Sequence, residues 1–399
     1  MQQTSSTWKQ WTCDEITPNL CNLSLETGYV KIKSIPVHYW RYKRKDIQHN
    51  EIKSLILLHG GPSWPHQYLL PLRQIACQTD YEVIFYDQAG CGASIPSTDE
   101  VNITKHSHLL DPKYYSEVEL PLLIDHWKLK EYSILGHSWG TILAQLFTLN
   151  AKDISGLQSL ILSGPLSDAQ AYIAAQWNES EGNLGSLPPF VQERIQALEQ
   201  EKLYDSREYQ AIDDVLTTFF TLRTAPAPDC FTTSAKGLNK DIYVGMQGAS
   251  EFTIGGVLGS FNVTGRLHEI KVPVLLTSGK FDTMRPSIVE TMHKHLQKSE
   301  WIMFPHSGHV SMIDDAELMN DKVSMFLQRI DEGFTNQVPS ERKVDHGNDM
   351  MIASGMSTSS SSTWLPAPYL FSICIAFTLG LLIGRLNLSS KRNQYEVIV

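Results

Sequence analysis

The chain has 399 residues, of which 42% are hydrophobic and 10% aromatic, so it is long enough to bury a large core. It carries 33 Lys and Arg against 43 Asp and Glu, which gives a formal net charge of -10. Because the part that looks folded contains no long basic stretch, we expect no nucleic-acid partner.

The amino terminus is polar, and the six cysteines of the chain are widely spaced. Residues 1–24 form an N-terminal extension without an apolar run long enough for a secretory signal. No two cysteines form a CxxC pair, and their density is far below that of a disulfide-stapled secreted domain. The sequence therefore predicts buried or idle thiols in a reducing compartment at Cys13, Cys21, Cys77, Cys91, Cys230 and Cys374.

Strand-like and helix-like segments alternate over residues 25–165, which is typical of an α/β domain. Residues 29–43 alternate enough to predict an opening hairpin. Short apolar runs then end in Gly or in polar residues, as buried parallel strands do. The fold class is therefore predicted to be α/β with a mostly parallel central sheet. The runs are 54–61, 81–90, 132–138 and 157–164.

Residues 166–268 differ in composition, with many charges, Gln and aromatic side chains at helical spacing. The strand pattern returns at 270–282 and 300–309, and a helix closes the segment 269–333. The simplest account is a single α/β core, made of 25–165 and 269–333, interrupted by an inserted helical segment. We call residues 166–268 the cap, because such an insertion lies over the strand ends.

The carboxyl end carries the pattern of a membrane span. After a polar Ser/Thr-rich linker at 334–363, residues 364–384 contain no charge and begin with aromatic side chains, which predicts a transmembrane helix. A buried terminal helix is the alternative, although the run has no polar face. With the short tail 385–399, the pattern predicts a single-pass C-terminal membrane anchor and a cytosolic folded domain.

Two features bear on the orientation of this anchor. Arg385, Lys391 and Arg392 follow the apolar run, and the positive-inside rule prefers such residues on the cytosolic side. Asn-x-Ser/Thr triplets are glycosylation acceptors if the folded domain is luminal, although they arise easily by chance. The triplets begin at Asn22, Asn102, Asn178, Asn262 and Asn387.

Residues 136–140 read Gly-His-Ser-Trp-Gly between an apolar strand and an apolar helix. In this context the glycines permit a sharp, strained turn that presents a serine hydroxyl at the end of the strand, the nucleophile elbow. An ordinary Gly-rich turn is the alternative, but both flanking elements are present. We therefore expect Ser138 to be a nucleophile.

A serine hydroxyl needs a base, and the base needs an acid that orients it; elbow folds order the three as Ser, acid, His. Asp282 and His309 each end a predicted strand after Ser138, so they are expected to complete a catalytic triad. Less favoured alternatives, by position or by order, are His306, Asp314 and Asp315.

Acyl transfer also needs donors for the developing oxyanion. The strand at 54–61 ends in two glycines that let the backbone approach a substrate. The backbone amides of Gly61 and Trp139 are therefore the predicted oxyanion donors. His59 is expected to be a structural loop residue.

The motifs HGGP, DQAGCGAS, GHSWG, MQGASEFTIGG, GKFD and SGH follow one another along the chain. Over about residues 25–330 this set resembles the proline iminopeptidase (prolyl aminopeptidase) branch of the α/β-hydrolases. The resemblance implies an α/β-hydrolase fold with a helical cap, a triad of Ser138, Asp282 and His309, and release of an N-terminal residue, often proline. It also implies that cap glutamates bind the substrate's free ammonium group, and Glu251 matches one of them.

The chain departs from the family pattern at three positions. Ser63 and Ala89 stand where Gly and Arg are usual. Ala225 stands where a second amine-binding glutamate commonly follows a Leu-Arg pair. The absence of this glutamate should weaken ammonium binding by about 1.5–3 kcal/mol. Asp229 and Glu179 are the candidate substitutes elsewhere in the cap.

The predicted function is that of a serine aminopeptidase or amidase that acts on short peptides or aminoacyl amides through an acyl-enzyme. An esterase or lipase for neutral acyl groups is the alternative favoured by Ala225, and a non-catalytic membrane-tethered protein is less favoured because every triad position is filled. The expected partners are a small peptide or aminoacyl substrate and a membrane. No metal motif such as HExxH occurs, and a serine triad needs no cofactor.

Overall fold

The structure, a computed structural model, describes residues 11–46, 52–95 and 106–334. Within these ranges the strands form one sheet in the order β1-β2-β4-β3-β5-β6-β7-β8. β2 pairs antiparallel with β1 and with β4, and the other neighbours are parallel. The strands are β1 (Leu23–Ile32), β2 (Ile35–Arg44), β3 (Lys53–Leu58), β4 (Tyr81–Tyr86), β5 (Tyr132–His137), β6 (Leu157–Ser163), β7 (Val274–Gly279) and β8 (Ser299–Phe304).

The predicted strands are confirmed, and the local sequence explains them. β4, β5 and β7 are buried at every position, which requires the continuous apolar runs seen in the sequence. β1 and β2 form the predicted hairpin, and Lys33 and Ser34 turn it with φ angles of 44° and 75°. Two consecutive positive φ angles match the right-handed twist of the paired strands.

Helices cover both faces of the sheet. Ile134 and Leu135 are neighbours in β5 and point to opposite faces, because side chains alternate along a strand. The helices are α1 (Cys13–Ile16), α2 (Ile75–Gln78), α3 (Leu120–Trp127), α4 (Trp139–Asn150), α5 (Ala169–Gln176), α6 (Pro189–Gln200), α7 (Arg207–Leu216), α8 (Asp229–Lys236), α9 (Lys240–Met246), α10 (Pro286–His295), α11 (Ser311–Asp314) and α12 (Ala316–Asp331). Tighter or wider helical turns occur at His66–Gln74, Gly92–Ser94, Ser107–Leu110, Tyr114–Glu119, Thr217–Thr221, Val257–Ser260 and Thr264–Glu269.

The hydrophobic core is therefore divided by the sheet into two clusters. Ile134 belongs to a cluster that includes Phe147 of α4, whereas Leu135 belongs to a second cluster that includes Phe326 of α12. Each fully buried side chain of this kind stabilises the fold by roughly 1.5–3 kcal/mol. The two clusters together hold the carboxyl edge of the parallel strands in one place.

The cap lies between β6 and β7 and contains α5 to α9, which confirms its predicted helical character. An isolated antiparallel bridge between Asp168 and Asn262 joins the two ends of the cap. The domain limits at 25–165, 166–268 and 269–333 stay predictions. A separate apolar cluster lies inside the cap, made of Leu184, Ile195, Leu198, Tyr209, Leu216 and Phe252.

The N-terminal extension is held to the folded domain by two disulfides. Cys13 of α1 is bonded to Cys230 of α8, and Cys21 is bonded to Cys77 of α2. The expectation of idle thiols was therefore wrong for these four residues, whereas Cys91 is a buried free thiol. Sequence spacing gave no sign of the pairs, because their partners lie 217 and 56 residues apart and only the fold brings them together.

The predicted membrane anchor is not shown. No helix in the described ranges is long and apolar enough to cross a bilayer. The predicted span and tail, Cys374, and all of the linker except Phe334 lie outside the described residues, as do Asn102 and Asn387.

Candidate active site

Ser138 lies on the turn between β5 and α4, at the carboxyl edge of the sheet. Its backbone has φ 54° and ψ −121°, a strained conformation for a residue with a side chain. The turn is also crowded, because a side chain at Gly136 would collide with the Gly140 carbonyl and one at Gly140 with the Leu58 carbonyl. This backbone has the geometry of a nucleophile elbow, and 7% of Ser138 is exposed.

Asp282 follows β7, His309 follows β8, and their side chains meet. His309 Nδ1 lies 2.7 Å from Asp282 Oδ1, and both residues are buried. The same carboxylate accepts the Met284 amide at 2.8 Å and the Gly279 amide at 3.3 Å. These bonds fix the carboxylate, which in turn fixes the orientation of the imidazole.

The elbow and the histidine are neighbours. His137, which precedes Ser138, donates from Nε2 to the His309 carbonyl at 3.0 Å, and the two imidazole centroids lie 4.6 Å apart. His309 Nε2 is buried and has no hydrogen-bond partner among the described residues. This nitrogen is the one that would take the Ser138 proton, and such bonds often form only once substrate is bound.

The surrounding charges favour the protonated form of His309. Burial acts most strongly and lowers its pKa, but the charge and hydrogen bond of Asp282 together with the charge of Glu251 outweigh burial, so the pKa of His309 is raised. An imidazolium forms whenever this residue accepts a proton, and the nearby carboxylates stabilise it.

The cap holds the loop that carries His309. The His309 amide donates to the Phe220 carbonyl at 2.9 Å. Asp314 accepts the Gly308 amide at 3.0 Å and both the amide and the hydroxyl of Thr224 at 2.8 Å. Asp314 therefore positions this loop against the cap and does not face the imidazole as a second acid.

The other two alternatives also lie apart from the pair. His306 is exposed, and its amide donates to Asp315 at 3.3 Å. Asp315 also accepts the Ser307 hydroxyl at 2.7 Å. These contacts lie within the segment between β8 and α12, so neither residue takes the place of Asp282 or His309.

One predicted oxyanion donor belongs to the elbow, and the other belongs to a neighbouring loop. Trp139 begins α4 directly after Ser138, and Gly61 lies on the loop after β3. A methyl group on the adjacent Gly60 would lie 3.0 Å from Ser138 Cβ, so this loop passes close to the serine. Neither predicted amide donates a hydrogen bond to a described residue, and their role as oxyanion donors stays a prediction.

Gln88 of the DQAG motif connects the loops around the elbow. Its side chain donates to the His59 carbonyl at 3.0 Å and accepts the Trp139 indole N–H at 2.8 Å. Its amide donates to His59 Nε2 at 2.9 Å, and His59 Nδ1 lies 3.0 Å from the Gly60 carbonyl. Burial lowers the pKa of His59 to about 4, so this residue is neutral and structural, as predicted.

Glu251 lies in the cap near the Asp282–His309 pair. Its Oε2 accepts the Tyr243 hydroxyl at 2.8 Å, and its carbonyl accepts the Tyr172 hydroxyl at 2.7 Å. Burial raises the pKa of Glu251, whereas the charge of His309 lowers it, so the two groups are close enough to interact electrostatically. Among the described residues no Lys or Arg pairs with Glu251, which leaves its charge available to a ligand cation.

Asp213 is a second cap carboxylate that the sequence analysis missed. It lies on α7 and is 8% exposed, and its side chain has no hydrogen bond or ion pair within the described residues. It lines a small cavity together with Glu199 and Tyr209. Burial, followed by the charge of Glu251, raises its pKa to about 7. Asp213 and Glu251 are therefore electrostatic neighbours without a protein cation.

The positions considered for a second carboxylate lie elsewhere. Ala225 and Glu179 are exposed. Asp229 accepts the Cys13 amide at 3.1 Å and so binds the N-terminal extension. Cys13, Asp229 and Cys230 form the one cluster with metal-ligand spacing in the described part of the chain, but the disulfide occupies both sulfurs.

The two departures in the loops make contacts of their own. Ser63 has φ 67° and donates its hydroxyl to the Asn239 carbonyl at 2.8 Å, which ties the loop after β3 to the cap. Ala89 is buried, and its amide donates to Glu119 Oε2 at 3.1 Å. Burial raises the pKa of Glu119 to about 8.

Comparison with known proteins agrees with this geometry. Residues 55–322 match the alpha/beta hydrolase family. The chain is 35% identical to the proline iminopeptidase of Heyndrickxia coagulans over 69% of this chain and 91% of the relative. It is 31% identical to the proline iminopeptidase of Clostridioides difficile (strain 630) over 74% of this chain and 95% of the relative. The crystal structure of proline iminopeptidase from Mycobacterium smegmatis shares the fold with a TM-score of 0.67 at 23% identity, covering 77% of this chain and 99% of that one. The chain therefore belongs to the alpha/beta hydrolase family and, within it, to the proline iminopeptidases.

Proposed function

We propose that this chain is a serine aminopeptidase that releases an N-terminal residue, such as proline, from short peptides or aminoacyl amides. One observation carries the proposal: Glu251 of the cap, which pairs with no Lys or Arg among the described residues, lies close enough to His309 for their charges to interact. A substrate whose ammonium meets this carboxylate brings its first carbonyl toward Ser138. The names of the curated relatives support the same reaction.

In the proposed reaction Ser138 Oγ attacks the carbonyl carbon of the first residue, and His309 Nε2 takes the hydroxyl proton. Asp282 holds the opposite nitrogen, Nδ1, and stabilises the imidazolium. The amides of Gly61 and Trp139 donate to the oxygen that becomes negative. His309 then protonates the leaving amine, and water hydrolyses the acyl-enzyme with the same base.

Recognition of the free amine is proposed to involve both cap carboxylates. Glu251 is oriented by the Tyr243 hydroxyl, and Asp213 is buried without a partner in the described residues. Each charge-assisted bond to an ammonium contributes about 1.5–3 kcal/mol, so two carboxylates offset the loss expected from Ala225. Because endopeptidase substrates present no ammonium at this distance from the scissile carbonyl, the arrangement favours an aminopeptidase.

The test compares Glu251→Gln with the unchanged enzyme on free and N-blocked aminoacyl p-nitroanilides. We expect kcat/KM on the free amine to fall at least about tenfold, the equivalent of one charge-assisted bond. The slow hydrolysis of the N-blocked compound should change much less. Glu208→Gln is the matched control, because Glu208 is an exposed cap carboxylate paired with Arg194.

If Glu251→Gln hydrolyses free aminoacyl anilides as fast as the unchanged enzyme does, the aminopeptidase proposal is wrong. The esterase alternative then gains, and p-nitrophenyl esters of neutral acids are its test substrates. The non-catalytic alternative is tested separately, since it requires that a fluorophosphonate probe leave Ser138 unlabelled.

We also propose that residues 364–384 anchor the chain in a membrane, as their uncharged sequence predicts. The full chain should stay in the membrane pellet after alkaline carbonate extraction. A chain cut before Ser354 should be released by the same treatment. Release of both chains would contradict the anchor.

A further inference from the structure

The N-terminal extension runs across both parts of the folded domain and is attached to each. We call residues 11–22 the strap. Its disulfide Cys21–Cys77 attaches it to the core at α2, and its disulfide Cys13–Cys230 attaches it to the cap at α8. The strap therefore joins the cap to the core covalently, independently of the chain connections at either end of the cap.

Hydrogen bonds and an ion pair near the cap disulfide also hold the strap to the folded domain. The Cys13 amide donates to Asp229 Oδ1 at 3.1 Å, and the Asp229 amide donates to the Trp11 carbonyl at 2.8 Å. An ion pair between Asp14 and Arg73 holds the strap to the core beside these bonds. The two cysteines are thus brought together by backbone contacts as well as by their own bond.

Four of the five cysteines in the described residues are paired in disulfides. Cys13 and Cys230 have Cα atoms 5.9 Å apart, and Cys21 and Cys77 have Cα atoms 5.6 Å apart, which are ordinary separations for disulfides. Cys91 alone among the described cysteines is free, and it is buried directly after the DQAG sequence. Structural disulfides form and persist in oxidising compartments and are rare in the cytosol.

Two of the glycosylation triplets present an accessible acceptor. Asn22, in the strap, and Asn178, in the cap, are both exposed. The Asn178 side chain accepts hydrogen bonds through its oxygen, from the Ser180 amide at 2.9 Å among others, and its Nδ2 donates to no described residue. Asn262 differs, because its Nδ2 donates to Asp168 at 2.7 Å.

The charges after the apolar run point the same way. Arg385, Lys391 and Arg392 favour a cytosolic tail, and a single span then places everything before it on the opposite side. This orientation is the reverse of the cytosolic domain that the sequence first suggested, and it requires a translocation signal other than an apolar run in residues 1–24. It agrees with the disulfides and with the exposed acceptor asparagines.

We propose that the catalytic domain is made in an oxidising compartment, where the strap is closed by its two disulfides and Asn22 and Asn178 receive N-linked glycans. Each disulfide forms as two thiols give two protons and two electrons to a disulfide-exchanging oxidant. Each glycan is transferred from a lipid-linked pyrophosphate donor: the asparagine Nδ2 bonds to the sugar, loses a proton, and the lipid pyrophosphate leaves. The proposal does not depend on the aminopeptidase activity.

The test uses the full chain expressed in cultured eukaryotic cells and denatured without reductant in the presence of an alkylating agent. Peptide mapping should find Cys91 alkylated, whereas the four cysteines of the strap disulfides react only after reduction. Treatment with peptide-N-glycosidase should increase the mobility of the chain. Asn22→Gln should remove one step of that shift, and Ser24→Thr, which preserves the acceptor triplet, should retain it.

Alkylation of Cys13, Cys21, Cys77 and Cys230 without reductant would overturn the proposal, and so would a chain whose mobility the glycosidase leaves unchanged. Both measurements are made on the denatured chain. A variant that folds poorly is therefore still informative.

Discussion

Gly164 follows β6 and lies against the Asp282–His309 pair, so it offers a sharp test of how closely the imidazole is positioned. A methyl group on Gly164 would lie 2.6 Å from His309 Cε1 and 2.7 Å from His309 Nδ1. Carbon atoms in contact are ordinarily about 3.5–4.0 Å apart, so Gly164→Ala must displace the imidazole by about 1 Å. Because Nδ1 of His309 is hydrogen-bonded to Asp282, the same displacement of the imidazole also disturbs that hydrogen bond.

A misplacement of about 1 Å can reduce the rate about 100-fold. We therefore expect Gly164→Ala to lower kcat on an aminoacyl p-nitroanilide about 100-fold, and to slow fluorophosphonate labelling of Ser138 as well. The change also forces alanine into a left-handed conformation, φ 57°, which costs about 1–2 kcal/mol of stability. The loss of rate and the loss of stability need separate measurements, and thermal unfolding supplies the second.

Gly333→Ala is the matched control for the backbone effect. Gly333 has φ 82°, also in the left-handed region, but nothing lies within 4 Å of an added methyl group. The control should lower the melting temperature and leave kcat unchanged. If folded Gly164→Ala keeps kcat within about threefold of the unchanged enzyme, the inferred position of His309 is wrong; an equal loss of kcat in Gly333→Ala would refute the steric explanation.

Three further predictions concern titratable groups. The charges of Asp282 and Glu251 raise the pKa of His309, although burial lowers it. Activity should therefore rise with pH as His309 loses its proton, at a pH above 6.5. In Glu251→Gln the same rise should occur at lower pH. Burial raises the pKa of Glu119 from 4.5 in the unfolded chain to about 8, so its contribution to stability is complete below about pH 4.5 and is lost by about pH 8; Glu119→Gln should therefore reduce the fall in melting temperature between these two pH values. Asp213→Asn should raise KM for a free aminoacyl anilide at least about tenfold, because a charge-assisted hydrogen bond is lost. KM for the N-blocked compound should not change. An unchanged KM for the free amine would show that Asp213 does not bind it.

The sheet and the surroundings of the elbow were predictable because their signals are local. Each parallel strand contains a short apolar run that is followed within two residues by a glycine or a polar residue, and the carboxyl ends of such strands meet at one edge. Ser138, Asp282 and His309 all follow strands of this kind, so their convergence could be inferred from order alone. Their catalytic roles stay predictions until the substitutions are measured.

The disulfides and the cap contacts could not be predicted in this way. Cys13 and Cys230 are 217 residues apart, and the sequence around either cysteine gives no indication of its disulfide partner. Likewise, the sequence suggested Asp314 only as an alternative to Asp282 as the triad acid, and not as a residue that holds a loop. The fold shows it binding Gly308 and Thr224, a contact that depends on how the cap meets the core.

Asp213 did leave a signal in the sequence. Tyr209, Asp213 and Leu216 are the buried residues of α7, at the spacing of an apolar helical stripe, and a carboxylate within such a stripe is costly unless it has a partner. In the described residues that partner is missing, and the charge of Glu251 adds to the cost. A bound ammonium supplies a cation to both groups, so binding should favour their ionised forms and release a proton near pH 7, where Asp213 titrates. Amine affinity should therefore increase as pH rises through this value, until the amine itself loses its proton. If both carboxylates bind the amine, the second charge comes from Asp213 instead of from the position of Ala225, and the requirement for a cationic substrate is preserved.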